Sequence, residues 1–206
     1  MNNVRLSILI LSITERIERL SALIKIIEKQ RNGVGQSFNS GVEVIVDMDN
    51  RTRSIASKRN NLIIQSQGDF LCFIDDDDEI DEDYLYSIVE SIDKHPDADC
   101  ITFNQSCVVD GRKFNVQFGL GNPITSEVLN SESGHCIIKR PPYHMCAFRS
   151  TIAKKVIFRD ITANNNYSVE DIDWLMRLYP LLNTEHHIDK VLHYYNFSTH
   201  TSRSRG

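Results

Sequence analysis

The apolar pentad Phe70-Leu71-Cys72-Phe73-Ile74 runs straight into Asp75-Asp76-Asp77-Asp78-Glu79-Ile80-Asp81-Glu82-Asp83, in which eight of nine residues are acidic. Five successive apolar residues read as a buried strand, so any fold must bury this segment and still present its acidic end where carboxylates can stay charged. Like charges a few ångströms apart repel, and each also loses hydration at the mouth of a low-dielectric core. Such a cluster needs a cation, shared protons or full solvation. Asp81, Glu82 and Asp83 precede the helical pattern Tyr84, Leu85, Ile88, Val89, Ile92 and suit the positive end of a helix dipole. Asp75 to Asp78 have no such use. Mn²⁺ or Mg²⁺ takes oxygen ligands of this kind, usually one or two carboxylates plus substrate phosphates. A calcium loop would need glycine at its sixth position and glutamate at its twelfth, where Ile80 and Tyr86 stand. Crowding of this sort also implies that neutralising Asp76 or Asp78 costs no stability.

Around the pentad, strand-like apolar runs alternate with helical patterns, the mark of an α/β fold with parallel strand pairs. Residues 6–11 read as a first strand, and Ile17, Leu20, Leu23, Ile24 and Ile27 recur at helical spacing behind it. A β-branched strand over 42–46, a helix over 53–66 and the turn Gln67-Gly68-Asp69 lead into the third strand at 70–74. A helix over 84–94 stops before Pro96, and Asp110-Gly111 turns a hairpin between strands 99–109 and 112–118. Residues 119–140 read as a long surface excursion. A strand over 143–148, a short helix near 151–156, a helix over 169–182 and a strand pair over 185–195 follow. The chain is expected to form one domain over 1–206, with a donor-binding half at 4–118, an acceptor-binding half at 119–197 and a polar tail at 198–206.

With 206 residues and 41% hydrophobic content the chain can bury a sizeable core without staples. Its net charge is −5, but the acidic run carries −8, so the remaining 20 acidic residues face 23 basic ones. That balance argues against a general nucleic-acid binder, which would show a basic stripe. The five cysteines are odd in number and lack C-x-x-C pairing, as expected of reduced core residues in a cytoplasmic protein. The apolar stretch 4–13 is too short for a membrane span, so no membrane segment is expected.

Several segments together resemble the family 2 glycosyltransferases. Ser7-Ile8-Leu9-Ile10, with Ser12 and Arg16 beyond, is similar to that family's first strand and nucleotide-binding turn. Glu43-Val44-Ile45-Val46-Asp47 resembles its second strand, which ends in a nucleobase-binding aspartate. Arg59-Asn60-Asn61 followed by Gly68-Asp69-Phe70 resembles the family's stretch before the third strand, and Asp75-Asp76-Asp77 falls where its D-x-D motif belongs. Glu170-Asp171, with Trp174 and Arg177 behind, resembles its E-D motif, and Val191-Leu192-His193-Tyr194-Tyr195 its last strand. The match covers residues 4 to 197. The chain departs from the family pattern at Leu11-Ser12, where Pro-Thr is usual, at Asp47-Met48-Asp49-Asn50, which lacks glycine and serine, and at Asn196, where arginine is common. Asp47 and Asp49 both remain candidates to read the base. The resemblance implies a GT-A fold, a nucleotide-sugar donor that is UDP-linked, a hydroxyl-bearing acceptor and an inverting transfer. Its donor-binding set is Ser12, Arg16, Asp47, Asp49, Arg59, Asp75 and Asp76. Its metal set is Asp75, Asp77 and a third ligand such as His200, with His193 as another candidate. Its catalytic pair is Glu170 and Asp171, with Asp171 as general base.

The chemistry asks for the same parts. Departure of a nucleoside diphosphate builds negative charge that a metal must neutralise. Asp77 would bind that metal, Asp75 would hold it or the ribose, and Arg59 would face the diphosphate. An acceptor hydroxyl needs a base on the opposite side of the anomeric carbon, for which Asp171 stands ready. The competing use of Asp171 is as the acidic partner of an N-cap at Ser168. Trp174 is read as core and His144 as a packed histidine near the acceptor. His95, His135, His186 and His187 carry no functional signal. Rival functions are an inactive nucleotide-sugar-binding module, a nucleotidyltransferase, and a transferase acting on hydroxylated nucleic-acid bases.

Overall fold

The structure, a computed structural model, describes residues 4–33, 41–123, 127–130, 136–161 and 169–197. Strand β1 (Leu6–Ile13) lies between β2 (Val42–Asp49) and β3 (Phe70–Asp75), parallel to both. Leu6, Ile8, Leu9, Ile10 and the whole pentad from Phe70 to Ile74 are buried. That is what a parallel sheet covered on both faces requires. The register sets Asp47, Leu11 and Asp75 in one row across the carboxyl edge of these strands. In open α/β sheets this is the edge where ligands bind.

A 3₁₀ turn (Thr14–Arg16) and helix α1 (Ile17–Gly33) follow β1. Helix α2 (Ile55–Gln65) is capped by the Ser54 hydroxyl, which accepts from the Ser57 amide, and it lays Lys58 and Arg59 inward. After β3 the acidic run contributes a two-residue strand, β4 (Glu79–Ile80), before α3 (Tyr84–Lys94). Strands β5 (Cys100–Val109) and β6 (Arg112–Phe118) form the expected hairpin. Its Asp110 and Gly111 both sit at positive φ, 47° and 80°, which Asp-Gly tolerates and most pairs do not.

Next come β7 (Glu127–Asn130), β8 (Cys136–Arg140), β9 (Ala147–Arg149), the short α4 (Ser150–Ala153), α5 (Glu170–Leu178) and β10 (Glu185–Phe197). The ten strands among the described residues belong to one sheet, ordered β2-β1-β3-β9-β5-β6-β8-β7, with β10 parallel to β5 and antiparallel to β4. The longest ladders, β1 with β2 and β5 with β10, are parallel.

Five expectations need correction. The excursion over 119–140 contains β7 and β8, which pair with each other and extend the sheet from β6. Each is only four or five residues long and lies in Gly-, Ser- and Glu-rich text, which concealed them. The strand expected over 143–148 is confined to β9. Residues 143–146 form a turn closed by the Cys146 amide on the Tyr143 carbonyl at 2.8 Å. The helix near 151–156 is the four-residue α4. Helix α5 gives way after Leu178 to a 3₁₀ turn (Tyr179–Leu181), because Pro180 has no amide hydrogen for the helix to use. The expected terminal strand pair is the single strand β10, bent by register shifts between Ile188 and His193.

Trp174 is core, as read from the sequence. It stacks on Phe158 at 4.6 Å, meets Phe73 and Phe148 edge-on and donates to the Val156 carbonyl at 3.0 Å. Among the described residues no helix is long and apolar enough to cross a membrane.

Candidate active site

Three groups of acids meet along the carboxyl edge of β1, β2 and β3. The first closes β2. Asp47 takes a two-pronged contact from the Arg53 guanidinium and a 2.7 Å bond from Asn61 Nδ2. Asp49 takes Lys58 Nζ at 2.9 Å, the Arg53 amide at 2.8 Å and the Thr52 hydroxyl at 3.2 Å. Lys58 Nζ also reaches the Ser12 carbonyl at 3.0 Å, tying this group to β1. Burial works to raise the Asp47 carboxyl, but Arg53, Asn61 and Lys58 outweigh it and hold the group below its ordinary value. The Asp49 carboxyl is likewise lowered, first by its bond to Lys58.

The second group is the turn after β3. The Asp75 amide donates to Asp78 Oδ2 at 2.9 Å and the Asp78 amide to the Asp75 carbonyl at 3.0 Å, closing a tight loop. Within it the acids alternate in fate. Asp76 is buried and accepts from Ser12 Oγ at 2.7 Å and Arg16 Nη1 at 2.8 Å. Asp78 is buried 3.1 Å from His193 Nε2. Gln105 fixes that imidazole: Cys107 Sγ donates to Gln105 Oε1 at 3.1 Å, so the amide NH₂ faces His193 Nδ1 at 2.8 Å and leaves the ring proton on Nε2. Burial works to raise Asp78, yet His193 and the Asp75 amide prevail and hold it low. Neutralising Asp76 or Asp78 would therefore relieve repulsion on Asp75 but also take a partner from Ser12 and Arg16 or from His193, a cost the expectation left out.

Asp75 and Asp77 differ from their neighbours, with side chains 40% and 42% exposed. Arg16 and Arg19 approach Asp77 only at 3.4 and 3.5 Å. Burial at the loop mouth pushes the Asp75 carboxyl up to about 6, with Arg59 opposing and Asp78, Asp171 and Asp76 reinforcing. Asp77 is also raised, mainly by lost hydration, with Arg16 opposing.

The third group sits at the start of α5. Asp171 Oδ2 accepts from Tyr143 Oη at 2.7 Å and Oδ1 from the Ile172 amide at 2.7 Å. His144 lies between the groups, its Nδ1 3.7 Å from Asp171 and its Nε2 3.8 Å from Asp75. Burial, then the nearby Arg59 charge, pushes this imidazole down to about 4, so it is neutral at physiological pH. Glu170 points inward, buried, 3.4 Å from Arg59 Nε. Arg59, expected to face the diphosphate, is only 3% exposed. Its guanidinium packs against the Phe73 and Phe158 rings, 4.8 and 5.4 Å from their centroids, and lies 3.6 Å from Asp75. It links Asp75 to Glu170 from beneath.

The structure thus gathers Ser12, Arg16, Asp47, Asp49, Asp75, Asp76, Asp77, Glu170 and Asp171 on one edge. His200 and Ser168 lie outside the described residues, and the residue preceding α5, Val169, makes no side-chain cap. Tyr143, Lys58, Arg53 and Gln105 were missed, and Asn61, though part of the Arg59-Asn60-Asn61 stretch, had no role assigned. Only the Lys58-Arg59 pair, basic residues on one helix ahead of an acidic loop, offered a signal. Among the described residues no three His, Cys, Asp or Glu side chains stand ready as a metal cage. Two open carboxylates are nonetheless a donor set that Mn²⁺ or Mg²⁺ accepts when phosphate oxygens complete it.

Three crystal structures of Staphylococcus aureus TarS residues 1–349 share the fold, each at 18% identity: one without a named ligand (TM-score 0.63), one in complex with UDP-GlcNAc (0.62) and one with UDP (0.60). They cover 94%, 94% and 95% of this chain, while the chain spans 60%, 59% and 61% of theirs. No curated protein sequence matches. The family described as Glycosyl transferase family 2 matches residues 11–157, well over half of the chain, taking in Ser12 through His144 and stopping short of Asp171. The chain therefore belongs to glycosyl transferase family 2.

Proposed function

We propose that the protein is a metal-dependent, inverting glycosyltransferase that moves a sugar from a UDP-linked donor to a hydroxyl acceptor. The observation that carries this reading is the unequal treatment of the acids. Asp75 and Asp77 are half exposed, raised and met by guanidinium groups only at 3.4 to 3.6 Å, while Asp47, Asp49, Asp76 and Asp78 are closely paired, and Asp171 is held by Tyr143 beside them. Family membership supports sugar transfer, and the complexes of TarS with UDP and UDP-GlcNAc make those two compounds the first donors to test.

Each step then has a residue. Asp47 or Asp49 meets the base at the end of β2. Asp75 and Asp77 would hold Mn²⁺ or Mg²⁺, which when bound supplies positive charge to a departing diphosphate. Arg16 adds a second cation from the turn after β1. Arg59 acts from beneath, holding Asp75 and Glu170 in register. Asp171 takes the proton of the acceptor hydroxyl as its oxygen attacks the anomeric carbon, and single displacement inverts that centre.

The test is thermal melting with UDP and UDP-GlcNAc, with Mn²⁺ or with EDTA. A ligand at 100 times its dissociation constant stabilises by about 2.7 kcal/mol. Stabilisation by UDP that appears only with the divalent ion is expected; stabilisation of equal size in EDTA would defeat the metal assignment. Release of UDP from UDP-GlcNAc, scored on the wild type and Asp171→Asn, separates an enzyme from a binding module that does no chemistry.

A further inference from the structure

The turn over residues 143–146 is anchored on several sides. Its His144 carbonyl accepts the Phe73 amide at 3.1 Å, which ties it to the strand ending in Asp75. Its Met145 carbonyl accepts the Tyr84 hydroxyl at 3.2 Å. The Tyr143 ring lies parallel to Phe118, 11° between planes and 6.4 Å between centroids, and 4.8 Å from the His144 ring. Tyr143 is thus a rigid post on the sheet, and its hydroxyl ends 2.7 Å from Asp171. Helix α5 supplies no comparable restraint on Asp171: the helix starts without a side-chain cap, and Asp171 takes from its own helix only the adjacent Ile172 amide.

We propose that Tyr143 is a positioning residue, whose hydroxyl fixes the Asp171 carboxylate in the rotamer that faces the acceptor. A carboxylate has about four lone-pair sites. Tyr143 takes one on Oδ2 and the Ile172 amide one on Oδ1, so each oxygen keeps one to receive the acceptor's proton. A base held from two elements at once, β-sheet turn and helix start, loses little orientation when an acceptor arrives, and misplacement of about 1 Å costs on the order of 10²-fold in rate. This inference rests on Asp171 being the general base. Packing alone would explain the Tyr143 ring but not its hydroxyl.

Tyr143→Phe keeps the ring stack and deletes the bond. Two measurements on Tyr143→Phe, Asp171→Asn and the double variant decide the matter. The first, independent of turnover, is the Ile172 amide proton resonance, which reports whether Asp171 Oδ1 still accepts from it. It is expected to move upfield in Tyr143→Phe as the freed carboxylate rotates; an unmoved resonance overturns the proposal. The second is UDP release from UDP-GlcNAc in Mn²⁺. Tyr143→Phe should lower kcat about tenfold with KM and melting temperature unchanged, and should have no further effect on top of Asp171→Asn. An equal slowing in both backgrounds overturns the role through Asp171 while leaving the base intact. Wild-type release by Asp171→Asn removes the base itself, and the positioning role with it.

Discussion

Two clusters of carboxylates flank the end of β1, with Asp47 and Asp75 in one register row, and they are treated in opposite ways. Asp47 and Asp49 at the end of β2 meet Arg53, Lys58 and Asn61, and both titrate below the ordinary aspartate value. Asp75 and Asp77 after β3 meet guanidinium groups only at 3.4 to 3.6 Å, and both are raised. Burial opposes ionisation in each cluster, so the difference lies in the counter-charge. The protein neutralises one cluster with its own cations and leaves its twin short of positive charge, which is where the proposed metal would act.

The largest expected effect tests whether the open cluster faces chemistry at all. Asp171→Asn should lower UDP release by about 10² to 10⁴ while leaving UDP affinity and melting temperature near wild type. Unchanged turnover would reduce the open cluster to a binding site. Next, Arg59→Met removes the cation shared by Asp75 and Glu170. Breaking a buried pair from one side costs about 3 kcal/mol or more, readable as a lower urea midpoint; a variant as stable as wild type would mean that Arg59 is merely packed against Phe73 and Phe158.

The comparison predicts opposite outcomes for one chemical change in the two clusters. Asp47→Asn should destabilise by about 2 kcal/mol, since it weakens a charged, two-pronged bond. Asp77→Asn should leave stability unchanged, because its pairs are long and half exposed, yet weaken UDP binding in Mn²⁺ and not in EDTA. Equal destabilisation by both would abolish the distinction.

The smallest effect is in pH. Asp47, lowered in the folded state, contributes stability that is present above its unfolded value of about 4 and disappears as pH falls through its lower folded value. Asp75, raised to about 6, has the opposite sign: its contribution is full below about 4 and is lost as pH rises through 6. With 40% of the Asp75 side chain exposed, screening limits its share to about 1 kcal/mol. In chelator, stability should therefore rise slightly from pH 7 to 5 and fall below pH 4. In Asp75→Asn the rise should vanish, and a rise that persists would assign it to another group.

Much of this site could be read before the fold was seen. A buried pentad opening onto acids had to end β3 at a sheet edge, and the β-branched run ending at Asp47 had to lie near it, because both are strands of one α/β pattern. Which acids are open could not be read. Asp75, Asp76, Asp77 and Asp78 are identical in type and consecutive, yet the turn sends Asp76 to Ser12 and Asp78 to His193 and leaves the others facing out. Arg59 looked available because helix periodicity does not reveal that Phe73 and Phe158 close over it. Tyr143 was hidden inside a run that looked like a strand.

What the sequence by itself determined is the set of elements and the ends at which the charges fall, since hydrophobic period and turn residues act over a few positions. What only the tertiary structure decided is the pairing. Gln105 with His193, Lys58 with Asp49 and Tyr143 with Asp171 are separated by 88, 9 and 28 positions, and two of these three contacts join elements that no local pattern relates. The state of each carboxylate depends on which cation or donor lies within about 3 Å of it. That distance is set by how helices and turns pack on the sheet.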